Sequence, residues 1–89
     1  MLSKQIEIIN KLGLHARAAS KFVKLASRFN SRILLRKGGA EANGKSIMAV
    51  MMLAASQGAR VELVVDGEDE VQAMEALEAL IADRFGEAE

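Results

Sequence analysis

His15 is the only histidine of the 89-residue chain, standing two residues after Gly13 and two before Arg17 in the stretch Asn10-Lys-Leu-Gly-Leu-His-Ala-Arg-Ala-Ala-Ser20. A neutral imidazole is both nucleophilic and uncharged near neutral pH. From Ala16 onward apolar residues recur at Ala19, Phe22, Val23, Ala26 and Phe29, the spacing of an amphipathic helix. His15 therefore falls at a helix mouth, where the first N–H groups lack intrahelical partners and the dipole presents partial positive charge. Such an end attracts anions, Arg17 adds a fixed cation, and positive surroundings favour the neutral ring. The combination suits accepting a phosphoryl group on His15. The plainer alternative is a surface or capping histidine.

The elements that must position this stretch can be taken in order. Residues 2–9 alternate, with Leu2, Ile6 and Ile8 on one face and only Lys4 breaking the row, which predicts a first strand. Asn10 to Leu14 form the loop that carries His15, and the helix runs from about Ala16 to Phe29 with Asn30 as its stop. Ser31–Lys37 reads as a second strand, Gly38-Gly39 as a tight turn and Ala40–Ala42 as a short third strand. Asn43-Gly44 turns the chain again, and Ser46 is a good N-cap for a short helix from Ile47 to about Leu53. Arg60–Asp66 alternates as a fourth strand. A last helix starts at Asp69 or a neighbour and continues to about Phe85, with an apolar stripe of Val71, Met74, Leu77, Ile81 and Phe85 and with Gly86 beyond. The order βαββαβα predicts an α+β open-faced sandwich, a four-stranded antiparallel sheet covered on one face by three helices.

Composition narrows the functions. At this length one domain over residues 1–89 is expected, burying roughly 60–65% of the surface of its unfolded chain. There is no cysteine, so neither a disulfide framework nor a thiolate metal site is available, and a metal centre or cofactor is not expected. The N-terminus alternates instead of forming a signal peptide, and no apolar run is long enough to span a bilayer. A cytoplasmic protein without membrane insertion is the expectation. Net charge is zero, yet residues 1–60 carry eleven Lys/Arg against Glu7 and Glu41, while residues 61–89 carry Arg84 against ten acids. Arg17, Lys21, Lys24 and Arg28 form a basic stripe on the helix after His15, either a solvated face or a dock for an acidic partner. A nucleic-acid-binding domain is the runner-up. Against it, Trp and Tyr are absent and Phe22, Phe29 and Phe85 all fall on apolar helix faces, leaving no stacking platform. A small-molecule sensing module finds no phosphate loop. In the short helix, Ile47, Met48, Met51 and Met52 cannot all face one core together with Val50 and Leu53, so part of this surface is expected to dock partners through flexible methionines.

Gly13-Leu14-His15-Ala16-Arg17 closely resembles the active-site segment of the HPr family, the histidine-containing phosphocarriers of the bacterial sugar phosphotransferase system. Asn43-Gly44-Lys45-Ser46-Ile47-Met48 resembles the family's regulatory-serine motif, and the likeness covers essentially the whole chain. It implies a monomeric relay, not a turnover enzyme. His15 would take a phosphoryl group through Nδ1 from enzyme I charged by phosphoenolpyruvate, Arg17 would stabilise that group, and an enzyme IIA-type acceptor would receive it. A dedicated HPr kinase/phosphorylase acting on Ser46 is implied as well. The chain departs from the family pattern at Ala18, where proline usually follows the arginine. Alanine there adds freedom to the unfolded chain and leaves one more N–H beside the site.

Overall fold

The computed structural model describes residues 1–89. Its elements are β1 (Leu2–Glu7), α1 (Ala16–Ala26), β2 (Arg32–Lys37), β3 (Ala40–Asn43), α2 (Ile47–Met52), β4 (Arg60–Asp66) and α3 (Glu70–Ala82), followed by a 3₁₀ turn over Arg84–Gly86. The strands form one antiparallel sheet in the order β1-β4-β2-β3. Val61, Leu63 and Val65 of β4 and Ile33 and Leu35 of β2 point to one face and are buried with Phe22, Leu77 and Ile81 from the helices. The opposite face exposes Ser3, Gln5, Arg32, Arg36, Glu41 and Asn43. Period-two patterning thus fixes which side the helices cover, because a one-residue slip would turn every apolar side chain outward.

Lys4, the break in the β1 row, lies opposite Leu63 in the β1–β4 pairing and turns to the helix side. Leu2 and Ile6 share its face of the strand, and its ammonium reaches Glu78 of α3 at 3.0 Å. A long cation whose head escapes to the rim can occupy an apolar row in this way.

The ends of the helices differ from the sequence-based expectation. α1 stops at Ala26, and Ser27, Arg28 and Phe29 continue only as capping and 3₁₀-type turns through Val23, Leu25 and Ala26 carbonyls, so Arg28 lies beyond the helix instead of on its stripe. α2 ends at Met52, ahead of Gln57-Gly58, through Leu53 and a left-handed Ala54 at φ 52°. Val71 is exposed and not part of the α3 core stripe, which consists of Ala73, Met74, Leu77 and Ile81. Phe85 is fully buried but not helical: Arg84 and Phe85 both have φ 55° and Gly86 has φ 77°, so three consecutive left-handed residues turn the chain back. Each non-glycine residue in that region costs about 1–2 kcal/mol. Burial of Phe85, of the order of 1.5–3 kcal/mol, and a 2.7 Å bond from Lys21 Nζ to the Phe85 carbonyl offset that cost.

Asp69 precedes α3 but caps a different junction. Its carboxylate accepts from Asn30 N at 2.8 Å, Ser31 N at 3.0 Å and Ser31 Oγ at 2.5 Å, tying the α1–β2 connection to the start of α3. The Ser31 hydroxyl first, then the backbone N–H groups, hold the Asp69 carboxyl below its ordinary value of 3.8. The folded chain therefore loses its Asp69 proton at lower pH than the unfolded chain does. The stability this supplies is complete above the unfolded value and disappears as pH falls through the folded one. Urea midpoints of wild type and Asp69→Asn are expected to differ at neutral pH and to converge in acid; a gap independent of pH would contradict the assignment.

Candidate functional site

The loop Asn10–Leu14 is shaped by Gly13, whose φ is 65° and whose backbone lies against Ala55 and Ser56 after α2. A Cβ at Gly13 would stand 2.8 Å from Ser56 Cα, and Leu14 N donates to Ala55 O at 2.9 Å in the same contact. Left-handed backbone and close approach together call for glycine here. The loop delivers His15 as the N-cap residue of α1, in extended conformation and with no side-chain capping bond. The first backbone bond of the helix is Ala19 N to His15 O at 2.8 Å, so the N–H groups of Ala16, Arg17 and Ala18 make no bond within the protein. Three donors and the positive end of an eleven-residue helix lie beside the imidazole. The third belongs to Ala18, where a proline would have supplied none.

The ring is not left free to turn. His15 Nε2 is 2.5 Å from Glu87 Oε2. Asn10 Nδ2 donates both to Gly13 O at 2.8 Å and to Glu87 Oε1 at 3.1 Å. Burial raises the affinity of the Glu87 carboxyl for a proton. Donors from Asn10 and His15, with the charges of His15 and Arg17, outweigh that effect and hold it below its ordinary 4.5. An ionised carboxylate only accepts, so Nε2 carries a hydrogen, while Nδ1 is engaged by no protein group. His15 is about one-quarter exposed and Glu87 about one-eighth.

Arg17 is exposed, and its guanidinium has no hydrogen-bond partner. With Lys11, Leu12, Lys21 and residues 86–89 it lines an open groove of about 530 Å³. Lys24 is exposed on the same helix, while Lys21 is committed to the Phe85 carbonyl. Ser46 caps α2, its Oγ accepting from Ala49 N at 3.2 Å. α1 packs against α2, whose Met48 and Met52 are 71% and 78% exposed, while Ile47 and Met51 are less so and Val50 is buried. His15, Arg17 and the donors of α1 are brought together; Ser46 and the methionines form a separate apolar surface. No group of three or more metal-ligating side chains gathers anywhere, and no helix is long and apolar enough to cross a membrane.

Glu87 was not among the residues singled out by sequence, nor was the anchoring role of Asn10. The only local signal was Phe85, an apolar residue just before a glycine, which is what a segment folding back onto the core requires.

A family model described as "PTS HPr component phosphorylation site" matches residues 2–83. The phosphocarrier protein HPr of Neisseria meningitidis is 56% identical over 89 residues, covering both chains completely. That of Cupriavidus necator is 55% identical over the same span, again with complete coverage. Among solved structures, HPr-C-His from Thermoanaerobacter tengcongensis superposes with a TM-score of 0.96 at 48% identity and full coverage of both chains. The catabolite repression protein Crh of Bacillus subtilis, described as a domain-swapped dimer, reaches a TM-score of 0.76 at 44% identity, covering 94% of this chain and 97% of that one. With the histidine at its helix mouth and these relatives spanning its whole length, the chain belongs to the HPr family of phosphocarrier proteins.

Proposed function

We propose that residues 1–89 act as one phosphoryl relay in the bacterial cytoplasm. His15 accepts a phosphoryl group from enzyme I charged by phosphoenolpyruvate and passes it to an enzyme IIA-type acceptor. The observation that carries this reading is an imidazole with Nε2 occupied and Nδ1 open, beside three unpaired N–H groups. The Nδ1 lone pair attacks phosphorus, the bond to the donor breaks, and its electrons leave with the donor. The three phosphoryl oxygens then meet backbone donors and Arg17, the positioning and charge stabilisation on which phosphoryl transfer chiefly depends. The reverse sequence delivers the group to the acceptor, so the protein is a carrier and not a turnover enzyme. Incubation with phosphoenolpyruvate and enzyme I tests the proposal: one phosphoryl group per chain is expected, and absence of label would refute it.

Docking is assigned to Lys21, Lys24, Arg28, Ile47, Met48, Met51 and Met52, an apolar patch bordered by cations that suits an acidic partner with an apolar centre. Lys24 is the best probe, because it is exposed and bonds to no other group. Association with enzyme I is expected to slow as salt rises, since exposed charges are screened beyond about 10 Å at 0.1 M. Lys24→Glu should slow association more than it speeds dissociation. Stopped-flow rates at two ionic strengths would reveal this, and a salt-independent association rate would leave the cations as mere solvated surface. Ser46 is proposed as a regulatory phosphorylation site for an HPr kinase, and the chain as a monomer.

A further inference from the structure

We infer that Glu87 is a positioning residue for phosphoryl transfer: it fixes His15 with Nε2–H donated to its carboxylate, directs Nδ1 to the phosphorus and balances the ring charge that attack creates. The inference rests on the relay proposed above and adds a group that the sequence motifs do not contain.

Three observations carry it. The first is the 2.5 Å contact between His15 Nε2 and Glu87 Oε2, which leaves Nδ1 as the nucleophilic atom. The second is that Glu87 is itself held: Asn10 binds its other oxygen, and the chain on either side is fastened by Lys21 to the Phe85 carbonyl and by Lys11 N to Glu89 O at 2.6 Å. The third is that this arrangement is not what stability alone would choose. Asn10 is fully buried and spends both amide hydrogens on Gly13 and Glu87, while its Oδ1 has no donor. A buried acceptor without a partner costs about 1–3 kcal/mol. Three successive left-handed residues, two of them not glycine, are needed to bring Glu87 to His15. The reversal is offset by the burial of Phe85, but the orphaned Asn10 acceptor beside this contact is not, and that fits a role in chemistry.

The charge balance explains the gain. The form of the ring that attacks is the neutral one, with its hydrogen on Nε2. Bond formation from Nδ1 to phosphorus makes it an imidazolium, and no proton has to move. Glu87 then faces a full positive charge and stabilises it, as a carboxylate behind a catalytic imidazole does in general. The same charge keeps the ring a good leaving group for the onward step.

The test uses the full chain in three forms: wild type, Glu87→Gln and Glu87→Ala. In unphosphorylated wild type, nitrogen-edited proton NMR should show a downfield His15 Nε2–H protected from exchange with water. Glu87→Gln keeps an acceptor and should retain a weaker version of that signal; Glu87→Ala should lose it. At saturating enzyme I, Glu87→Ala should slow phosphoryl acceptance by about ten- to hundredfold, the scale of one hydrogen bond to a charged group, with Gln between and the KM for enzyme I little changed. An unchanged Nε2–H signal and rate in Glu87→Ala would overturn the inference. So would rates that fall only in step with the thermal unfolding midpoint. The NMR measurement precedes any phosphorylation, so it judges the contact even if His15 proves not to accept the group.

Discussion

His15→Ala is expected to reduce phosphoryl acceptance from enzyme I to background while leaving the protein folded. The two halves of that statement have separate causes. No other side chain beside the three unpaired N–H groups offers a nucleophile that is neutral near physiological pH: Arg17 is cationic, Glu87 is held ionised on the ring, and Lys21 is bound to a carbonyl. The fold is spared because the His15 side chain makes no capping bond, and its backbone carbonyl, which begins α1, survives in alanine. The lost contact with Glu87 is one hydrogen bond to a charged group, about 1.5–3 kcal/mol, and Asn10 still holds that carboxylate. In wild type the bond formed should be a phosphoramidate, labile in acid and stable in base. Label that survives acid, or an alanine variant accepting phosphate at a comparable rate, would place the chemistry elsewhere.

Ser46→Asp should cut transfer from enzyme I by about tenfold or more at undiminished thermal stability. Ser46 Oγ accepts from Ala49 N, and an aspartate at an N-cap accepts the same bond while adding a charge that the helix start favours. The penalty falls on docking, because the new charge borders Ile47 and the exposed Met48, facing a partner taken to be acidic. Like charges juxtaposed across an interface cost several kcal/mol, and about 1.4 kcal/mol is already a factor of ten. Phosphoserine, with about −1.5 to −2 charges, should act more strongly in the same direction. Ser46→Ala separates the two roles. It gives up the cap, typically about 1 kcal/mol or roughly 4–8 °C in a domain of this size, yet should transfer normally. An aspartate variant that transferred at the wild-type rate, or failed only through unfolding, would exclude this switch.

The chemistry-bearing motif was legible because its geometry is local. A glycine that must be left-handed, a helix whose apolar residues recur at Ala19, Phe22, Val23 and Ala26, and a lone histidine between them define the mouth of α1 without reference to the rest of the chain. Arg60–Asp66 was equally plain, since Val61, Leu63 and Val65 recur at period two even though Val64 on the other face is apolar as well. What escaped depends on contacts distant in sequence. Asp69 reads as an ordinary helix cap, and only the tertiary approach of Asn30 and Ser31 recruits it to another junction. The apolar stripe of α3 continued to Phe85 by periodicity, whereas the residue is buried by a left-handed reversal at Arg84 and Phe85 that neither side chain announces. Glu87 follows from that reversal, so it was missed with it. Arg28 continues the basic periodicity of α1 past the point where the helix itself ends at Ala26.

The strand order bears on how the chain can fold as it is made. β4 lies between β1 and β2, yet it is the last strand in sequence. Leu2 waits for Val65 and Ile33 waits for the same residue, so a nascent chain that has emerged as far as α2 can form only the β2–β3 hairpin. Until residues 60–66 leave the ribosome, β1 has no neighbour and the basic first two-thirds of the chain lacks the acids that later pair with it. Isolated hairpins are marginal in water. Vectorial synthesis therefore cannot build this sheet stepwise from its N-terminus: cooperative closure comes late, on the arrival of a single strand that completes both of its neighbours at once.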